Sequence, residues 1–205
     1  NFAVNSVAVK TGPGASKNLD MDGSRGELLE VSGNLDIDVF GFFQVSGGFA
    51  LSKSTGTITL SDTAATELTV DQLTLGASNV TAFAGIAGGT SDAVGLELTD
   101  VEFALGIFSD QADPTRTWTA LQATAGSFGF IGIEDLSVTG TTLSVSINQA
   151  PVGEDVANFA VNSVAVKTGP GASKNPDMDG SRGQLLAGSG DPENDGVGFF
   201  QVSGG

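Results

Sequence analysis

The sequence predicts an all-β fold, and three observations predict it. Glycine supplies 30 of 205 residues and charged residues only 16%, a composition of strands and tight turns, because exposed helical faces carry far more Glu, Lys, Arg and Gln. Hydrophobic residues, 40% of the chain, alternate with polar ones in short runs, the period of a half-buried strand. Residues 1–48 return at 158–205 with a constant offset of 157, without a gap and identical at 38 of 48 positions, which marks a tandem repeat. The chain therefore divides into one full period, 1–157, and the start of the next, 158–205, expected to form one continuous elongated structure. Opening on Asn1 with "NFAV", it reads as a window on a longer periodic array.

Taken in order, the first element is "NFAVNSVAVKTGPGASKN", Asn1–Asn18, repeated at Asn158–Asn175. It runs into "NLDMDGSRGELLE" in the first copy and "NPDMDGSRGQLLA" in the second. Asn18, Asp20, Asp22 and Ser24 fall at every second position beside the turn-forming Gly23, and Asp177 and Asp179 repeat the acids. That spacing is similar to the first half of an EF-hand loop, where several hard oxygens converge on calcium at about 2.3–2.6 Å. The bidentate acid of such a loop is missing: Leu29 stands at the twelfth position with Glu30 one residue late, and the second copy has Leu186 and Ala187 at these two positions.

Eight of the ten differences between the copies lie between Glu30 and Phe40, where "EVSGNLDIDVF" becomes "AGSGDPENDGV". Leu35, Ile37 and Val39 alternating with Asp36 and Asp38 predict a strand. Pro192, Asn194 and Gly196 predict a loop, whose Asp191, Glu193 and Asp195 form a second candidate calcium cluster.

Further on, short apolar runs are joined by polar pairs: Asp71–Gln72, Ser78–Asn79, Thr99–Asp100, Glu134–Asp135 and Thr141–Thr142. Apolar positions step by two within a run and by three across a pair, as in Leu68, Val70, Leu73, Leu75, Ala77 and Val80. A step of three puts the set on the wrong face unless the backbone bends or bulges. Two architectures satisfy this. In an elongated β-solenoid the pairs are corners and strands stack coil on coil. In a long antiparallel sheet or sandwich the pairs are bulges, and "AGGTSDA", "FSDQADPTRT" and "NQAPVGEDVA" are hairpin loops. Runs of about three to seven residues and the long repeat period favour the solenoid, each period then extending the rod by roughly 30–40 Å. Phe40, Phe42, Phe43, Phe103, Phe108, Phe128 and Phe130 are expected in core ladders, or as an adhesive patch if several are exposed together. Trp118 is expected to fill the core or cap a coil rather than stack on a sugar.

The inventory also excludes chemistry. The chain has no Cys, His or Tyr, which removes disulfides, thiolate metal sites and imidazole acid–base catalysis. Acidic neighbours such as Asp100 with Glu102 or Glu134 with Asp135 read as solvated positions rather than the carboxyl pair of a glycosidase, so no catalytic residue and no enzyme activity is expected. A net charge of −16, of which −11 falls on residues 49–157, repels phosphates and anionic membrane surfaces, and no apolar run is long enough to span a bilayer.

With "DMDGSRGELL" and "GFFQVSGG" repeated at long period in a Cys-free, acidic, Gly/Thr/Val-rich chain, the sequence resembles the tandem-repeat regions of giant secreted or surface-anchored bacterial proteins. The resemblance implies an extracellular adhesin, stalk or matrix fibre, often stiffened by calcium. The expected role is a structural repeat module of a rod, filament or adhesin stalk that associates with itself end to end through β-edges. The alternative is a surface adhesion module that binds calcium or cell-surface polysaccharide.

Overall fold

A computed structural model describes residues 1–24, 26–134, 136, 138–192 and 201–202. It is all-β and antiparallel. A hairpin of β1 (Val7–Gly12) and β2 (Ala15–Leu19) comes first. A meander follows: β3 (Leu29–Val39), β4 (Phe43–Thr59), β5 (Glu67–Ile86), β6 (Val94–Asp110), β7 (Thr117–Ile131) and β8 (Thr139–Gln149). The chain then leaves the sheet for a second hairpin, β9 (Val166–Gly169) and β10 (Ala172–Lys174), and returns as β11 (Leu185–Pro192) and β12 (Gln201–Val202). β11 pairs with β8, so the main sheet has the order β12-β11-β8-β7-β6-β5-β4-β3.

Among the described residues no strand stacks on a counterpart one coil later, and the solenoid expectation gives way to the antiparallel alternative. The reason lies in the polar pairs. Ser78–Asn79, Thr99–Asp100 and Thr141–Thr142 sit inside long strands, with Asn79, Asp100 and Thr142 in left-handed backbone at φ 52°, 50° and 56°. Register shifts by one residue where β4 meets β5, between Ser46 and Gly48, and where β8 meets β11, between Ser189 and Asp191. At the same level the pairing of β6 with β7 skips from Thr99↔Ser127 to Glu102↔Thr124. One line of bulges and interrupted pairings thus crosses the sheet from β4 to β11, letting short runs join into strands of up to 20 residues. Asp71–Gln72 is neither corner nor bulge, because Thr55↔Asp71 and Ser54↔Gln72 continue the ladder unbroken. There the apolar set changes face: Val70 is buried on one side and Leu73 is exposed on the other.

One face of the sheet is covered. Two of its cross-strand rows are made of small residues, Ser52–Thr74–Gly106–Ala120 and Ala50–Gly76–Ala104, so backbone can lie close against them. The segment from Val156 to Met178 does so. Val156, Ala157, Phe159, Val164, Val166 and Met178 are buried, and most of them meet Ile58, Leu60, Val70, Phe108, Trp118 and Ala120 in one core. Phe159 and Phe108 pack with ring centroids 5.8 Å apart. Trp118 is buried as expected, its Nε1–H donating to the Asp155 carbonyl at 2.9 Å, with the Arg116 guanidinium 5.2 Å above its ring. A Cβ on Gly76 would overlap the Lys167 carbonyl oxygen, so this position needs glycine for the hairpin to seat.

The phenylalanine expectation is corrected. Phe108 is fully buried and Phe103 and Phe128 are half-buried, but Phe40, Phe42, Phe43 and Phe130 are exposed. They lie beyond the bulge line, where the row Val39–Phe43–Ala84–Leu96–Phe130 crosses the sheet outside the reach of the covering segment.

The strand predicted at Leu35–Val39 is present as the second half of β3. The loop predicted in the second copy is not found over residues 187–192, which continue β11 with Asp191↔Thr141 and Pro192↔Gly140 paired. Pro192 is the last residue of that strand, where a missing N–H costs the ladder least. Glu193, Asn194, Asp195 and Gly196 lie outside the described residues.

Candidate functional site

The repeated segment appears twice in one molecule and makes the same local turns both times, although the first hairpin is two pairs longer, with Val7↔Leu19 and Ala8↔Asn18 that the second lacks. The Asn1 and Asn158 side chains each accept from two following amides, Ala3 and Val4 in one copy, Ala160 and Val161 in the other. Phe2 N–H donates to the Met21 carbonyl at 2.7 Å, as Phe159 N–H does to that of Met178 at 2.8 Å. Asp22 Oδ1 accepts from the Ser24 amide and hydroxyl at 2.8 and 2.6 Å, and Asp179 Oδ1 from Ser181 at 2.9 and 2.7 Å. The short-range signals in the sequence suffice to build this unit, because Asx turns and a tight hairpin are local.

These turns hold the candidate calcium ligands. Asp20, Asp22 and Ser24 line one open hollow of about 430 Å³ with Asn1 and Phe2. Asn18 stays in β2, paired with Ala8, and is not among the residues that line it. In the second copy Asp177 and Asp179 line a polar cleft of about 270 Å³ with Gln122, Asn148 and Arg182. Asp177 accepts from Gln122 Nε2 at 2.6 Å. The Ser181 hydroxyl first, and then its amide, hold the Asp179 carboxyl below its ordinary pKa. Asn148, itself buried, gives its amide hydrogen to the Ala157 carbonyl at 2.8 Å, while its Oδ1 finds no hydrogen-bond partner among the described residues. Asp191 is held in β11, and Glu193 and Asp195 fall outside the described residues. No group of three or more acidic side chains gathers among the described residues.

What differs between the copies is their surroundings. The second is seated on the sheet by Ser78 Oγ–H donating to the Thr168 carbonyl at 3.0 Å, by Asn162 on Thr57 and by a Lys167–Glu30 ion pair. A weaker Lys174–Glu102 pair at 3.5 Å closes the far end. Phe159, Val164, Val166 and Met178 are 2%, 8%, 0% and 8% exposed; their counterparts Phe2, Val7, Val9 and Met21 are 38%, 47%, 44% and 47% exposed. The sequence reading did not assign this surface, although the alternation Val7, Val9, Thr11 was its signal.

Comparison with protein-family models, with curated proteins and with solved structures finds no match.

Proposed function

We propose that the chain is a structural repeat module of an extracellular rod, filament or adhesin stalk, in which successive 157-residue periods prolong one antiparallel sheet. A single observation carries this reading. β11 is the copy of β3 and hydrogen-bonds to β8, so the start of a second period is added to the sheet of the first instead of folding apart. Each period contributes the strands β3 to β8, which at about 4.8 Å per strand adds roughly 29 Å. Electron micrographs of chains carrying one, two and four periods are the test. Particles that lengthen by about that increment are expected; globules whose long dimension does not grow would sink the proposal.

A second reading, a calcium-dependent adhesion module, draws on the cleft that Asp177, Asp179 and Asn148 share and on the exposed aromatic end of the sheet. A cation bound by the native state alone raises the melting temperature by mass action. Identical melting curves in chelator and in millimolar calcium would remove it.

A further inference from the structure

We propose that residues 1–28 and the outer edge of β3 form a docking element for a second copy of this same 157-residue unit, placed before it: hairpin β1–β2 lies across that copy's covered face, and β3 pairs with its β8. The inference rests on the repeat-module reading and names its contact surface.

Residues 1–24 and 158–181 differ at one position, Leu19 against Pro176, and share the local hydrogen bonds described above. The second copy therefore shows where such a segment packs when a sheet is supplied. It comes after β8, crosses the covered face and delivers the chain to β11 at the edge of β8. The first copy delivers the chain to β3 in the same way, but the sheet on this side belongs to no described residue, and β3 is the terminal strand. Its own sheet offers no vacancy, because residues 156–178 already occupy that face. Phe2, Val7, Val9 and Met21 are left in water as a consequence.

The offset of 157 makes the contacts specific. Leu185↔Asn148 and Leu186↔Ile147 become Leu28 opposite Asn148 and Leu29 opposite Ile147 of the preceding copy. Lys167 with Glu30 and Lys174 with Glu102 become Lys10 and Lys17 reaching the preceding copy's Glu30 and Glu102. Val4 supplies an internal control, since it and its counterpart Val161 are both exposed, at 75% and 68%.

The chain contains no cysteine, so single Val7→Cys, Val164→Cys and Val4→Cys variants report accessibility to a thiol-reactive probe without background. They are compared in the full chain and in the full chain preceded by one more copy of residues 1–157. In the full chain Val7→Cys should label quickly and Val164→Cys slowly. In the extended chain, labelling at the Val7→Cys of the second unit should slow by roughly 100-fold, the protection that a locally packed segment gains over an open one. Val4→Cys should label fast in both. Amide hydrogen exchange over residues 7–11 of the unsubstituted chains repeats the measurement without a substitution. Rapid labelling at Val7→Cys in the extended chain overturns the docking, as does slow labelling in the single chain. If the extended chain is nevertheless longer in micrographs, the rod reading stands and this contact alone is wrong.

Discussion

Phe2 and Phe159 are the same residue in the same local sequence, and their surroundings alone set what each contributes. Phe159 is 2% exposed and packs on Phe108, whereas Phe2 is 38% exposed. Truncating a buried phenylalanine removes its transfer free energy and leaves a cavity, about 3–5 kcal/mol. Truncating the exposed one should cost no more than about 1 kcal/mol. Urea unfolding of Phe159→Ala and Phe2→Ala in the 205-residue chain measures both, and equal losses would show that the first copy is covered as fully as the second. Sequence could not separate the two residues. Burial here is decided by which sheet lies underneath, and 23 of the 24 positions at 1–24 are identical in both copies.

The bulge line is the element on which the sheet's geometry turns, and it was half legible. A step of three across Ser78–Asn79, Thr99–Asp100 and Thr141–Thr142 correctly announced a backbone irregularity, because a strand holding one face cannot take that step otherwise. The same step at Asp71–Gln72 misled, since both sides of this sheet carry apolar residues and the set could change face with no bend. Asn79 is suited to its place: at φ 52° a short polar side chain is tolerated, and a β-branched one is strained. Asn79→Gly should leave stability within about 0.5 kcal/mol or raise it, and Asn79→Val should lose about 1–2 kcal/mol. Thr81→Val, two residues further along the same strand and opposite Ser46, controls for the change of polarity and should shift stability by less than about 0.5 kcal/mol. Equal effects of the two valine substitutions in thermal unfolding would mean that the left-handed backbone at Asn79 is not what the sequence is serving.

For the whole molecule, the decisive asymmetry is between a covered face and an open one. The open face carries an unbroken cross-strand row, Val31–Leu51–Leu75–Leu105–Leu121–Ile147–Leu186, one residue from each of seven strands. Neighbours in the row shield one another, so the inner members are half-buried while Val31 and Leu186 remain exposed. A row of this length is an apolar surface of the kind that drives association between sheets. Opposing it is a net charge of −16, which makes like molecules repel at long range. Salt changes the balance in one direction: raising ionic strength from 0.1 M to 1 M shortens the screening length from about 10 Å to about 3 Å and leaves the apolar attraction in place. The apparent mass in light scattering should therefore rise with salt at fixed protein concentration. Leu75→Asp and Leu121→Asp, each placing a charge in the middle of the row, should abolish the rise while sparing the end-to-end contacts proposed above at β3 and at the hairpins. A mass that stays constant to about 1 M salt, or that rises equally in both aspartate variants, would mean that the leucine row is not the surface through which copies meet.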